Sequence, residues 1–431
     1  MRFRRKAVEV EPEAQAEARP EMPAGPLTVA EYLDWILDRV PALEGSVQPV
    51  GDVVGLATHE EIISPVSLPT FDNSAMDGYA VHFRDAAEAA QDHPVHLPVV
   101  GEIHAGPTTI HSLDPGTAVA IMTGAAIPQG CESVVPVEWT ERDGRDVVIS
   151  QAPKQGQHIR RAGEEISKGD VLLEAGAKIT PRTVGVLAAA GVGQVLAAPR
   201  PRVVIMSTGA ELIQPGLALP ADCIYESNSH LLAAAARAHG AIAYRATCDS
   251  DDPEVFAEAL GDQLLRADIV VTTGGVSKGT RDVVKEVLSG LGTVDFREVK
   301  MQPGKPQGFG EIGDDSIPIF TLPGNPVSAY VSFEVFVVPA LRKMVGLAQP
   351  HRVLTTARLV GSVTAKAEKQ QYLRGQVSAS ANGLVVEPVG GPGSHLVGGL
   401  AGANALIVLG EEVTHVDQGD HVPVLLLDWQ S

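Results

Sequence analysis

The chain has 431 residues, a formal net charge of −20, 44% hydrophobic residues and only 4% aromatic ones. That length exceeds one core and implies roughly two to four domains, with interiors built mainly of aliphatic side chains. The acidic balance argues against nonspecific nucleic-acid binding and anionic membrane surfaces, which need cationic surface, but leaves anionic small ligands open through helix ends and a few Arg or Lys residues.

Residues 1–25 carry Arg2, Arg4, Arg5 and Lys6 with no apolar signal core behind them. The Glu-, Ala- and Pro-rich stretch from Glu9 to Glu21 cannot bury apolar area and is expected to be disordered. No apolar run approaches the ~18 residues of a membrane span, and the chain reads as cytoplasmic. Cys131, Cys223 and Cys248 form no C-x-x-C pair, so neither a zinc site nor a disulfide framework is expected.

Order is expected from Thr28, which fits a capping box with Glu31. Leu33, Ile36, Leu37 and Val40 make one apolar helical face. The run Phe71-Asp72-Asn73-Ser74-Ala75-Met76-Asp77-Gly78-Tyr79-Ala80 is too polar for a core strand and poor in helix signals. It reads as a rigid loop, with Gly78 available for a positive φ. Either its carboxylates are satisfied within the turn, or it presents Asp72 and Asp77 to a ligand. Short valine-rich runs, 118–122 and 133–137, make the region to about residue 200 β-rich, interrupted by a helix opening at Pro181.

The texture changes at Pro201. Three apolar runs, 203–206, 268–271 and 318–322, end in Ser207-Thr208-Gly209, Thr272-Thr273-Gly274-Gly275 and Pro323-Gly324-Asn325-Pro326. Helical stretches at 229–239, 252–266, 280–291 and 327–344 separate or follow them. This is the pattern of a parallel α/β sheet buried on both faces. Ligands of such sheets sit beyond the carboxyl ends of the strands, and three Thr/Gly/Asn-rich ends favour a phosphate-bearing ligand. Gly274-Gly275-Val276-Ser277-Lys278-Gly279-Thr280 is neither a Walker loop nor G-x-G-x-x-G, which disfavours a nicotinamide cofactor. Thr280 and Asp282 also suit the start of a helix. Asp252 before Pro253 reads as an N-cap, leaving Asp251 free for Mg²⁺. Arg160 and Arg161, among Glu164 and Glu165, suit oxyanions or surface ion pairs. The turn Met301-Gln302-Pro303-Gly304-Lys305-Pro306 holds Lys305 in a stiff setting. Beyond about residue 346 the chain is β again and suggests a small sandwich or barrel.

Together these segments resemble the molybdopterin molybdenumtransferases (MoeA), relatives of the gephyrin E domain. The resemblance rests on 71–80, Ile121-Met122-Thr123-Gly124-Ala125, 159–164, Ser207-Thr208-Gly209, Thr273-Gly274-Gly275-Val276-Ser277, Pro303-Gly304-Lys305-Pro306 and 322–328. It runs from residue 28 to about 430. It implies an elongated domain from 26–66 and 157–200, an inserted β-rich domain at 67–156, a molybdopterin-binding α/β domain at 201–346 and a C-terminal β domain at 347–431. It implies a homodimer whose cleft lies between the α/β domain of one subunit and the inserted domain of the other.

The implied activity is insertion of molybdate into adenylylated molybdopterin with release of AMP, requiring Mg²⁺. Molybdopterin adenylyltransferase and acceptor molybdoenzymes are implied as exchange partners. Carried over residue by residue, Asp77 and Glu211 belong at the reacting centre with Thr123, and Asp251 and Asp282 with Mg²⁺ and the nucleotide. Arg160, Lys305, Arg374 and Ser394 become molybdate or pterin-phosphate contacts. Asp72, Arg161, Ser207, Thr208, Gly209, Thr273, Gly274, Gly275, Ser277, Pro323, Gly324, Asn325 and Pro326 complete the substrate-binding set. Ala210, Glu298 and Gln302 depart from the family pattern, with Lys278 and Lys300 as compensating charges. Two other functions compete: a molybdopterin adenylyltransferase, marked by ATP consumption, and a non-catalytic carrier or scaffold.

Overall fold

The computed structural model describes residues 25–248, 250, 252–274, 283–291 and 294–427. They form two compact units. One combines the residues up to Pro41 with Pro201–Leu341 and the residues from Pro350; the other is Ala42–Arg200 with Arg342–Gln349.

The first unit is organised on a six-stranded sheet. Its spatial order is Ile242–Cys248, Arg202–Thr208, Ile269–Thr273, Ile317–Leu322, Pro306–Ile312 and Val294–Glu298. The first four strands are parallel, with Val203 level with Ile269 and Val270 level with Ile319. The last two pair antiparallel and extend the sheet beyond its parallel part. Val204, Met206, Phe256, Leu260, Val270, Leu288 and Ile319 share one buried cluster between sheet and helices. The absence of alternation in the strands follows from this burial on both faces.

The helices are Asn228–Ala238, Pro253–Leu264, Val283–Gly290 and Pro326–Ser332. The last continues through a π turn at Phe333–Val337 into Val338–Met344. Asp252 caps its helix as expected, accepting from the Glu254 amide at 2.9 Å. The N-terminal helix Val29–Leu37 packs in this unit, not with the elongated segments. Its capping box between Thr28 and Glu31 is formed. Tyr32 is wholly buried, edge-on to Phe336 at 5.1 Å, whereas Leu33 is only half-buried. Ile36, Leu37 and Val40 are buried as expected, and Val29 and Tyr32 complete the face. The C-terminal part is a closed five-stranded barrel of Gln370–Ser380, Gly383–Pro388, Thr355–Leu359, His421–Leu426 and Ala405–Leu409. Pairing of the first with the last closes it. Met301–Gln302 adds a parallel strand to it, tying the barrel to the α/β layer.

In the second unit, Ser46–Pro49 pairs with Gln194–Ala197 and Ile62–Ile63 with Val171–Leu173. The helix Pro181–Ala189 is capped by Thr180 and packs on Val53, Leu56 and Val195. A six-stranded sheet ordered Ser133–Pro136, Gly78–Val81, Ala118–Ile121, Val95–Ile103, Asp146–Ile149 and Thr140–Asp143 fills the stretch between. Here the expectation for Gly78 fails. Its φ is not positive; it opens a central strand, paired with Ile121 on one side and Pro136 on the other. Glycine is required because a Cβ there would lie 2.0 Å from the Val135 carbonyl oxygen. Gly78→Ala is expected to destabilise the inserted sheet by roughly 1–3 kcal/mol, read as a lower melting temperature. An unchanged melting temperature would contradict the close approach.

Among the described residues no helix is long and apolar enough to cross a membrane.

Candidate functional site

In the α/β unit the carboxyl edge of the parallel sheet gathers three of the motifs. Strand Arg202–Thr208 leads into Gly209, strand Ile269–Thr273 into Gly274, and strand Ile317–Leu322 into Pro323-Gly324-Asn325. Gly274 takes a φ of +90° and its amide donates to the Leu322 carbonyl at 3.2 Å. A Cβ on Gly324 would sit 3.5 Å from the Gly274 Cα, so these two loops abut backbone to backbone. Glu211 folds its carboxylate over Gly209, where a Cβ would meet its Oε2 at 2.6 Å. Thr208 is half-buried at the rim.

Below this rim the hydroxyls are engaged internally. Ser207 donates to Glu226 Oε1 at 2.9 Å, and Thr273 donates to Ser207 Oγ at 3.4 Å. Glu226 also accepts from the Ser229 amide and hydroxyl. Arg245 donates to Ser229 Oγ at 2.8 Å and to Gln214 at 3.0 Å. Ser207 and Thr273 are thus scaffolding hydroxyls here, and Glu226 is a buried acid that sequence reasoning missed. It lies in Ile-Tyr-Glu-Ser-Asn, a stretch with no periodicity to mark it as interior.

Pro326 occupies the first turn of its helix, as expected, but the Asn325 side chain does not cap it. Instead its amide reaches Ser394 Oγ at 3.0 Å, while the Val327 amide donates to the Ser394 carbonyl. Arg374, buried in the barrel, donates to the carbonyls of Leu396 (2.6 Å) and Gly391. Burial pulls its pKa below the ordinary value. The guanidinium braces the loop that carries Ser394 and also lines a cavity of about 230 Å³. Lys305 follows Gly304, whose φ is +99°, and pairs with Glu298 at 2.8 Å. Lys300 lies 4.0 Å from Glu411. Lys300, Lys305 and Lys369 share a cavity of about 570 Å³ with Glu298, Glu411 and Glu412.

In the second unit Asp77 stands exposed just before the strand Gly78–Val81. Its Oδ1 accepts from both the amide and the hydroxyl of Thr123 at 2.7 Å. The Thr123 amide, then its hydroxyl, hold the carboxyl below the ordinary carboxylate range. Asp77 borders a cavity of about 530 Å³ with Tyr79, Val100, Met122, Val137 and Arg142. Asp72 points elsewhere. It accepts from the Ala162 amide at 2.8 Å and from Arg161 at 2.5 Å, which lower its pKa in that order. Asp72 and Arg161 therefore clamp two loops together. Arg160 extends the short pairing of Asn73–Ser74 with Ile159–Arg160 and is exposed.

Asp251, Gly275, Ser277, Lys278, Thr280 and Asp282 lie outside the described residues. Among the described residues no group of three His, Cys, Asp or Glu side chains comes together as a metal site.

Residues 27–191 match the MoeA N-terminal region (domain I and II), residues 204–343 a probable molybdopterin binding domain, and residues 356–427 the MoeA C-terminal region (domain IV). The chain is 41% identical to molybdopterin molybdenumtransferase 2 of Mycobacterium tuberculosis, over 92% of this chain and 98% of that one. It is 36% identical to molybdopterin molybdenumtransferase of Haemophilus influenzae, over 85% and 89% respectively. A crystal structure of the molybdopterin biosynthesis MoeA protein of Pyrococcus horikoshii OT3 superposes with a TM-score of 0.78 at 27% identity. That match covers 93% of this chain and 100% of that one.

Proposed function

The chain belongs to the MoeA family of molybdopterin molybdenumtransferases, enzymes of molybdenum cofactor biosynthesis, and we propose that it inserts molybdate into adenylylated molybdopterin and releases AMP. The observation that carries this reading is the carboxyl edge of the parallel sheet, where three glycine-bearing strand ends converge. That edge suits a phosphate-bearing ligand. Cleaving a phosphoanhydride is mostly positioning and charge neutralisation. Asp77, held as a carboxylate in one orientation by Thr123, and Glu211, lying over Gly209, are the acids at the reacting centre. Asn325 and Ser394 hold the neighbouring loops together. We further propose a cytoplasmic homodimer, a Mg²⁺ requirement through Asp251 and Asp282, and hand-over of substrate and product between molybdopterin adenylyltransferase and acceptor molybdoenzymes.

The deciding measurement is AMP release from adenylylated molybdopterin with Mg²⁺, with and without molybdate. Molybdate-dependent release with molybdenum retained on the pterin is the expected result. ATP consumption would point to an adenylyltransferase instead, and tight binding without release to a carrier. EDTA is expected to abolish AMP release and added Mg²⁺ to restore it; full turnover in EDTA would remove the metal from the mechanism.

Glu298 neutralises Lys305 across an exposed pair. Glu298→Ala is expected to lower KM for molybdate roughly two- to five-fold, the range an exposed ion pair represents. An unchanged KM would take Lys305 out of the molybdate site.

A further inference from the structure

Glu226 is 1% exposed and lies between the strand Arg202–Thr208 and the start of the helix Asn228–Ala238. It accepts from Ser207 Oγ at 2.9 Å, from the Ser229 amide at 2.7 Å and from Ser229 Oγ at 2.5 Å. Arg245 Nη2 lies 3.8 Å away and His230 Nε2 4.0 Å away. A carboxylate suits this place because the groups around it offer protons.

Its connections reach the Gly209, Gly274 and Gly324 turns. Through Ser207 and Thr273 it joins the two strands that end in Thr208-Gly209 and Thr273-Gly274. Through the Ser229 amide it caps the helix Asn228–Ala238, which the side chain of the N-cap residue Ser227 does not cap. That cap fixes Asn228, whose side-chain amide donates to the Gly324 carbonyl at 2.7 Å. Gly324 in turn rests on Gly274. One interior carboxylate thus sets the spacing of all three ligand-facing turns.

We propose that Glu226 is a positioning residue for the anionic substrate: it holds the Gly209, Gly274 and Gly324 turns in the register that binds the phosphate-bearing part of that substrate. The inference rests on the transferase reading above. Glutamine keeps the shape but puts an NH₂ group among donors, so the turns should shift without the unit losing its core.

The test is steady-state AMP release by the full chain with adenylylated molybdopterin, molybdate and Mg²⁺. Glu226→Gln is expected to raise KM for adenylylated molybdopterin about ten-fold or more, with kcat within about three-fold, because misplaced binding groups weaken ground and transition states alike. Glu226→Asp, which keeps the charge, is expected to recover most of that loss. A wild-type KM in Glu226→Gln, or a loss confined to kcat, overturns the inference. Should Glu226→Gln fail to fold, Ser229→Ala decides it: KM raised about three-fold or more supports the inference, and an unchanged KM overturns it. Absence of molybdate-dependent AMP release from the wild-type chain would overturn the transferase reading and the inference with it. An active wild type with unaffected variants overturns the inference alone.

Discussion

Asp77→Asn is expected to cut molybdate-dependent AMP release by roughly 10²–10⁴-fold while leaving the melting temperature unchanged. Asp77 supports no core: it is exposed, and its carboxylate accepts from the amide and hydroxyl of Thr123. Those two donors hold its pKa down, so the group is a carboxylate at neutral pH. They also aim it, because Gly78, the next residue, is pinned between Ile121 and Pro136. A charged group kept exposed in one orientation, with no structural debt to its neighbours, is poised to act on a ligand. Thr123→Ala removes the hydroxyl but keeps the amide, and a smaller loss of roughly ten-fold is expected. Full activity in Asp77→Asn would remove Asp77 from the reacting centre.

Arg352→Ala is expected to be the most destabilising single change, by roughly 3–5 kcal/mol, because it strands a buried charge. Glu334, 1% exposed on the π turn Phe333–Val337, pairs with Arg352 and with His239 at 3.4 Å. Arg352 also donates to the Leu426 carbonyl of the barrel at 2.6 Å, so one guanidinium ties the long helix to the barrel wall. Replacing both charges by apolar groups, Glu334→Leu with Arg352→Met, is expected to recover much of the loss. A melting temperature for Arg352→Ala within about 1 °C of wild type would show the pair to be inert.

Acid should act through the same pair. Burial opposes the charge on Glu334, but His239 and Arg352 outweigh it and hold the carboxyl below its ordinary value of 4.5. A folded pKa lower than the unfolded one means the contribution is complete above about 4.5 and is lost as pH falls through the folded value. Wild-type stability should therefore decline below about pH 4.5 more steeply than that of Glu334→Gln. Equal slopes would exclude Glu334 as an acid-sensitive contributor.

Local rules of hydrogen bonding and periodicity made much of the fold legible in the residues. The Thr28–Glu31 capping box, the Asp252 cap, Pro181 and Pro326 in first turns, and the uninterrupted runs 203–206, 268–271 and 318–322 each specify an element within a few residues of chain. The family motifs carried the activity, since short loops rich in Gly, Asn and Asp serve chemistry more than packing. The geometry of Gly78 was not readable in this way. In isolation it looks like turn glycine, yet what demands it is the carbonyl of Val135, fifty-seven residues away and brought close only by strand pairing. Nor was the burial of Tyr32 readable locally: its ring packs edge-on to Phe336, a residue far along the chain.

The amino-acid order, through caps, prolines and apolar spacing, thus settled which segments become helix or strand and which loops end them. Tertiary contact alone decided what those loops' side chains do. Asn325 abandons its cap for Ser394, Ser207 turns inward to Glu226, Arg374 braces a loop, and Lys305 meets Glu298. The reason is physical: a cap or a periodic face is completed within one or two turns of the same segment, whereas a polar side chain binds whichever donor or acceptor folding brings within about 3 Å, and these partners lie 7 to 69 residues away.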